Sequence, residues 1–499
     1  MARYSSFRYG TGVKWGATAQ TTLYWVVQVD WFDSNYAEGY NEAPRCVGCE
    51  WERGRDTFLE SNTAGIRFPS VGRASVTLDN HDGLYNSRNV SSPYYGTLQP
   101  GHRARIGVKT ATATAIQWRF TGRATNIKPS GWRNGYVDIT FEDALQWLYD
   151  QEIDIDVQTS IRVDEAIAQV LLTAAWPWSS DLSISSDSLG YWWAKGSASK
   201  EIADLTASSI GYFSVLGDGT ARFINRSEVT PASVSLTDDN TLNDLEIAQP
   251  WENYKNIIKI KWYPRQLQGS SVIWSDISVP LLINAGANYT TFGDYTYNSQ
   301  SVPAIYATVS ASDYSANTAA DGSGTDLTAN FSVAFTDFGT SAKVVVTNNG
   351  IVNGYLRLLQ ISGQPINVPY TGSYIEQRSD YATNPRTWTL ELPWQQTSAR
   401  SETIASIIAD YLDQARLWPM IEVENRFDVQ FTPDIFDTVR YSSAYLNIDD
   451  SFRVGKIKEK WISDNGQAVK TTFILEPYIP GPVAWTWPVA TFGTDTVFG

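Results

Sequence analysis

The sequence predicts a mainly β protein: two similar antiparallel β-barrels, a small α+β module and an inserted β domain. Three observations lead there. The aromatic load is high, 20 Trp, 27 Tyr and 19 Phe against two Met, and aromatic and β-branched side chains suit half-buried pleated surfaces. Glycine and Asn/Asp clusters separate short strand-like runs, the punctuation of antiparallel sandwiches and barrels. Finally, a late β stretch repeats an early one.

The first barrel is expected over residues 1–155. Its strands are "TLYWVVQVDW" from Thr22, "CVGCEWERGR" from Cys46, "RASVTLDN" from Arg73, "RARIGVKT" from Arg103, "IQWRFTGRATNI" from Ile116 and "NGYVDITFEDAL" from Asn134. The period then changes, marking an α+β module over 156–235. In "VDEAIAQVLLTAAW", Ala166, Ile167, Val170, Leu171 and Ala174 fall at helical spacing behind Asp164 and Glu165, which suit a helix start. A second helix, "SKEIADLTASSI", places Ile202, Leu205 and Ser209 on one face, with Ser199 expected as its cap. A hairpin follows, turning at Gly217-Asp218-Gly219.

The strand "NIIKIKWY" (256–263) returns to β structure, and residues 236–265 with 420–478 are expected to form the second barrel. Between them, residues 266–395 are rich in Ser, Thr, Asn, Gly and Tyr and read as an inserted β domain. Residues 396–419 supply a helix that joins the insert to the second barrel. Ile404, Ile407, Ile408, Tyr411, Leu412 and Ala415 line one face of it, and Ser401 is expected to cap it. Residues 479–499 read as an extended C-terminal tail that packs on a neighbour or contacts a partner.

The repeat aligns "LQPGHRARIGV" with "FTPDIFDTVRY", so that Pro100 and Pro433 each stand six residues before Ile106 and Val439. Phe120, Gly135, Val137, Thr140 and Phe141 then correspond to Phe452, Gly466, Val469, Thr472 and Phe473. Two like units per chain, repeated about a three-fold axis, give a ring of six: an architecture of scaffolds and channels more than of enzymes.

Composition excludes several classes. A net charge of −15 disfavours binding nucleic acid through the general surface, since phosphate affinity needs Lys and Arg. The N-terminal residues lack an apolar signal-type core, so the chain reads as not exported by the general route. No apolar run approaches the ~18 residues of a membrane span. Cys46 and Cys49 form the only CxxC, and with His81 and His102 as the only histidines a four-ligand zinc site is poorly supplied. A structural thiol pair is the expectation, beside redox and metal alternatives. No GxSxG, HExxH or phosphate-binding loop occurs, and no catalytic, cofactor or metal residue is assigned. "VTLDNHDGLYNS" (76–87) looks at first like a metal loop. With Gly83 at the glycine of a calcium-binding loop, however, Leu78 falls on the first ligand position. A strand-end turn fits better. Glu152, Asp154 and Asp156 alternate with Ile153 and Ile155, so in a strand their carboxylates share one face. That face reads as solvated or channel-facing, with a calcium site or glycosidase pair as the alternative.

The stretch from Gly72 to Val108 resembles the tail-hub (baseplate-hub, tail-tip hub) proteins of tailed bacteriophages. The residues that carry the likeness are Leu78, Asn80, Asp82, Gly83, Ser92, Pro93, Tyr94, Tyr95, Gly96, Pro100 and Gly101. "WERGRD" (51–56) is similar to that family's Arg-Gly-Arg strand, and the order of elements over about 20–480 agrees. The resemblance implies a homotrimer in the virion, assembled in the host cytoplasm. Its two tube-like β-barrels per subunit would adapt the hexameric tail tube to a three-fold tip. Its implied partners are a tail-tube or distal tail protein ring, the tape-measure protein and tail-tip or receptor-binding proteins, with DNA only in transit. The expectation is a structural, non-enzymatic hub. The alternatives are a carbohydrate- or receptor-binding tail protein acting through the insert, and a glycan hydrolase.

Overall fold

The computed structural model describes residues 23–36, 41–55, 68–110, 115–130, 135–226, 228, 230–238, 245–249, 254–276, 278–413, 416–424, 426–461 and 469–478. Gly466, Ala415 and the tail over 479–499 lie outside them. The chain is mainly β, as expected. Its first six strands are β1 (Leu23–Val29), β2 (Cys46–Gly54), β3 (Ser70–Asp79), β4 (Arg103–Thr110), β5 (Gln117–Pro129) and β6 (Tyr136–Asp143). Alternation sorts their faces. In β6 Val137, Ile139 and Phe141 are buried while Tyr136, Asp138 and Thr140 are exposed. The buried set meets Ala74, Val76 and Leu78 of β3 and Ile106 and Phe120 in one core.

The module follows with α1 (Gln146–Asp150), β7 (Glu152–Arg162), α2 (Val163–Thr173), β8 (Ser180–Leu182), β9 (Ser188–Ser197), α3 (Ala198–Ser209), β10 (Tyr212–Val215) and β11 (Ala221–Ile224). β7 begins at Glu152 and pairs with β9, so the acidic strand belongs wholly to this module. Helix α2 starts where Arg162 N–H donates to Glu165 Oε2 at 3.0 Å and buries Ala166, Ile167, Val170 and Leu171. Ser199 is not the cap of α3. The N-cap is Ser197, and Ser199 is buried inside the helix.

Next come β12 (Val234–Thr237), β13 (Leu245–Ala248) and β14 (Ile257–Trp262). The insert contributes β15 (Gln266–Leu267), β16 (Ser271–Ser275), β17 (Leu281–Ile283), β18 (Asn288–Asp294), β19 (Thr296–Tyr297), β20 (Gln300–Ser301), β21 (Ala304–Thr308), β22 (Tyr314–Asn317), β23 (Phe331–Asp337), β24 (Ser341–Asn348) and β25 (Gly354–Asn367). The long β25 pairs with β15, β16, β17, β21 and β22, and β18-β24-β23 form another sheet. Ile273, Leu356, Ile361, Val344 and Val346 fill one core with residues from both sheets.

After the insert come β26 (Gly372–Gln377), β27 (Thr387–Leu392), α4 (Ser398–Leu412), β28 (Trp418–Glu424), α5 (Phe427–Gln430), β29 (Thr438–Ser443), β30 (Ile448–Trp461) and β31 (Val469–Pro477). Here β14 departs from expectation. It joins no sheet of the second unit but lies between β26 and β27, and Ile258 and Ile260 pack under Ile404 and Ile408 of α4. Ser401 likewise does not cap α4: it is buried one turn in, and its Oγ donates to Thr397 O at 3.0 Å.

A single twelve-strand sheet joins the ends of the chain. Its first half runs in the order β1-β4-β5-β6-β3-β2. The second runs β12-β29-β30-β31-β28-β13, the same order when each half is numbered along the chain. The registers agree at both ends of the repeat. Ile106 pairs with Phe120 as Val439 pairs with Phe452, and Val137 pairs with Pro129 as Val469 pairs with Trp461. The first strand differs, β1 being antiparallel to β4 and β12 parallel to β29. Among the described residues no ladder joins β1 to β2 or β12 to β13, so each half is an open path.

Candidate functional site

The two halves meet where β2 lies antiparallel to β30, Glu50 to Gly54 facing Lys460 to Lys456. Gly54 (φ +119°) lets the backbones close, for a Cβ there would sit 2.3 Å from Gly455 O. Beside this contact a buried cluster takes its cations from the first half and its carboxylates from the second, while on the other face of β2 Glu52 and Glu50 meet Lys456 and Lys460 of the second half. From the first half come Trp51, Arg53, Arg55 and Arg119, all at most 3% exposed. From the second come Asp434, Glu459 and Glu476. Glu459 accepts from Trp51 Nε1 at 2.7 Å and from Arg119 Nε and Nη2 at 3.2 and 3.1 Å. Arg53 Nη2 donates to Asp434 Oδ1 at 2.8 Å. Arg55 holds Glu476 through Nε at 2.8 Å and through Nη2, with Tyr212 and Phe436 against its guanidinium. Burial opposes a charge on Asp434, yet Arg53 and Arg119 keep its carboxyl below the ordinary range. The module seals the contact: Gly217 N–H donates to Asp434 Oδ2 at 3.1 Å and Gly217 O accepts from Thr121 Oγ1 at 2.8 Å. Of this cluster, the sequence offered only the "WERGR" stretch as a signal.

The motif turn closes the other end of β3. Leu78 is fully buried. Asn80 N–H donates to Gly135 O at 2.6 Å, Gly83 N–H to Asn80 O at 2.9 Å, and Tyr85 N–H to Asn80 Oδ1 at 2.8 Å. Gly83 sits at φ +69° and Gly96 at φ +85°. Asp82 is held by Arg45 at 2.8 Å, which keeps its carboxyl below the ordinary range. Pro93 is exposed, and Ser92 Oγ ties the chain to Leu84 O at 2.6 Å. Tyr94 is buried and its hydroxyl donates to Glu42 Oε1 at 2.9 Å, whereas Tyr95 is 54% exposed. Glu42, itself buried, also accepts from Trp31 Nε1 at 3.1 Å and from the Tyr85 hydroxyl. Nothing in the sequence flagged Glu42. The turn is a polar clasp. His81 Nδ1 lies 2.6 Å from Asp79 Oδ1 on the surface, and among the described residues no group of three His, Cys, Asp or Glu is placed to hold a metal.

Glu152, Asp154 and Asp156 do share the exposed face of β7, with Ile153 and Ile155 buried beneath. They stand apart from the junction. Burial and the neighbouring Asp337 and Asp154 raise the Asp156 carboxyl. Cys46 and Cys49 are free thiols on β2; burial pushes the Cys49 thiol up, which makes it a poor nucleophile. A cavity of about 220 Å³ between Asp187–Tyr191 and Trp394–Arg400 holds neither histidine nor any residue of the acidic strand. No helix among the described residues is long and apolar enough to cross a membrane.

No family model matches the sequence, and no curated protein does. Solved structures do. The tail protein from Neisseria meningitidis MC58 is similar at 9% identity and a TM-score of 0.50, over 93% of this chain and 99% of that one. The 43 kDa tail protein of prophage MuSo2 from Shewanella oneidensis gives 10% identity and 0.48, over 91% and 98%. The prophage tail protein gp18 from Listeria monocytogenes EGD-e gives 8% and 0.39, over 86% and 87%. At such identity the likeness is one of fold, and the chain has the tail-protein fold to which the residues from Leu78 to Gly101 pointed.

Proposed function

We propose that this chain is the structural hub of a phage tail tip. Three copies form a ring that adapts the hexameric tail tube to a three-fold tip, and the ring encloses a channel for the tape-measure protein and DNA. The observation that carries this reading is the pair of six-strand units with one strand order and matching registers, built into one sheet. Three such chains supply six like units, the number needed to continue a six-fold tube. The Arg–carboxylate cluster ties the two units of a chain together, as an adaptor between tube and tip requires. Each unit curls as a tube wall, and the chain is a scaffold without catalytic activity. A tail-tube or distal tail ring, the tape-measure protein and tail-tip or receptor-binding proteins are its partners in the virion. DNA is in transit only, and the net charge of −15 suits a wall along which phosphate slides. On this reading the exposed carboxylates of Glu152, Asp154 and Asp156 face that channel. Light scattering under native conditions tests the reading: a mass near three times 55.6 kDa is expected, and a monomer overturns it.

A further inference from the structure

Strand β30 is paired along one side by two different strands. β29 covers Ile448–Arg453 and β2 covers Lys456–Lys460. Its counterpart β5 is covered by β4 only from Gln117 to Arg123, and the chain at Gly101 and His102 extends this to Ala124. From Thr125 to Lys128, no backbone partner lies on that side among the described residues. The counterpart of β2 is β13, whose one ladder among the described residues is with β28. One unit thus has an unfilled place of the kind that β2 fills in the other, and the second unit has an unused strand of the kind that fills it.

The geometry points to these two edges pairing between copies of this chain: β13 of one copy lies antiparallel beside Thr125–Lys128 of the next. This rests on the hub reading and deepens it by naming the contact between subunits. The register follows from the repeat. Counting back from Pro129 and Trp461, which hold the same ladder place, Ile127 stands where Glu459 does and Asn126 where Lys458 does. Ala74 and Ile421 face Phe141 and Phe473 alike. Trp51 pairs with Ala74 and Leu245 with Ile421, so Leu245 and Glu246 stand where Trp51 and Glu52 do. Within the chain Trp51 faces Glu459 and Glu52 faces Lys458. Between chains, Leu245 faces Ile127 and Glu246 faces Asn126.

The side chains suit this contact. Leu245, Ile247 and Ile127 are each only half buried and pack on the cores of their own units. Pairing covers them and satisfies two bare strand edges that otherwise invite unspecific association. On the outer face Glu246, Asn126 and Lys128 are exposed, and Lys128 becomes the diagonal neighbour of Glu246. No buried ion pair is needed here, in contrast to the inner contact, so separate copies can meet without desolvating charges. The contact is head-to-tail, and such contacts close into rings when the rotation allows.

The test is a disulfide across the predicted pair. Asn126→Cys with Glu246→Cys places two cysteines on directly opposed residues, about 4.5–5.5 Å apart at Cα and within disulfide reach. Lys128→Cys with Ala248→Cys carries the same number of thiols but sets them about 13 Å apart along the strands. Under mild oxidation the first variant is expected to run as a covalent three-chain species on a non-reducing gel, and the second as a single chain. All four positions are at the surface or half-buried, and circular dichroism matching the parent excludes misfolding. A native trimer without the cross-link overturns the strand pairing and leaves the hub reading standing. A monomer without it overturns both. Equal cross-linking of the two variants overturns the register.

Discussion

The two six-strand units share a strand order, yet their ends are closed by different chemistry. In the first, the long connection from Asn80 to His102 folds over the sheet and is clasped by a carboxylate, Glu42, which takes hydrogen bonds from Trp31, Tyr85 and Tyr94. In the second, the shorter connection from β28 to β29 is clasped by a neutral amide. Gln430 Nε2 donates to Val423 O, Val469 O and Thr471 Oγ1 at 3.0, 2.9 and 3.1 Å, and its Oε1 accepts from Arg426 N–H. Asp143 and Leu475 form another contrast at one place in the ladder: Gly122 faces Asp143 as Val454 faces Leu475. Backbone ladders available to any residue fix the order of strands. The seals use whatever polar group the local connection offers.

The contact between the units should be the easiest place to break this arrangement. Glu459→Ala leaves Arg119 buried without its carboxylate and is expected to cost about 3–5 kcal/mol, read as a lower denaturant midpoint. Replacing both partners, Arg119→Leu with Glu459→Leu, should cost clearly less, because no charge is then stranded. The clasps come next. Glu42→Ala orphans three buried donors and should cost about 2–4 kcal/mol, against about 1–2 for Gln430→Ala, since hydrogen bonds to a charged group are stronger. Equal losses from the two would show that the charge adds nothing.

Asp143 gives a pH signature that the second unit lacks. Burial raises its carboxyl to about 7, above its ordinary value near 4. Between these values the folded chain keeps a proton that the unfolded chain has released. Stability from this group therefore falls as pH climbs from about 4 to 7 and is level above that. Asp143→Asn should remove that slope from melting temperatures measured between pH 5 and 8; an unchanged slope would place its origin elsewhere. The smallest effect is expected on the acidic strand. Asp154 is exposed, and Asp154→Asn should shift stability by no more than about 0.5 kcal/mol in the same denaturation assay.

What could be read from the residues followed the range of the interaction. The strand-like run "NGYVDITFEDAL" gave β6, and spacing gave α2 and the apolar stripe of α4. The caps failed for two local reasons: Ser199 is the second residue of α3, with its hydroxyl 2.9 Å from that of Ser197, and Ser401, one turn inside α4, satisfies its hydroxyl on Thr397 O. β14 was misplaced because "NIIKIKWY" has the same period whichever sheet receives it; its parallel ladder with β27 joins residues more than a hundred positions apart.

The sequence by itself determined the β character, the repeated hairpins with their registers, and the turn that ends β3, because period, turn residues and local hydrogen bonds act over a few positions. It also singled out "WERGRD" by its likeness to a strand of the tail-hub family. Only the tertiary structure decided what that stretch meets. Arg119 and Glu459 lie 340 residues apart, and no local pattern records that burial brings them together to offset each other's lost water shell. The same holds for the bare edges of β5 and β13. An edge is defined by which strand does not arrive, and that is a property of the assembled sheet.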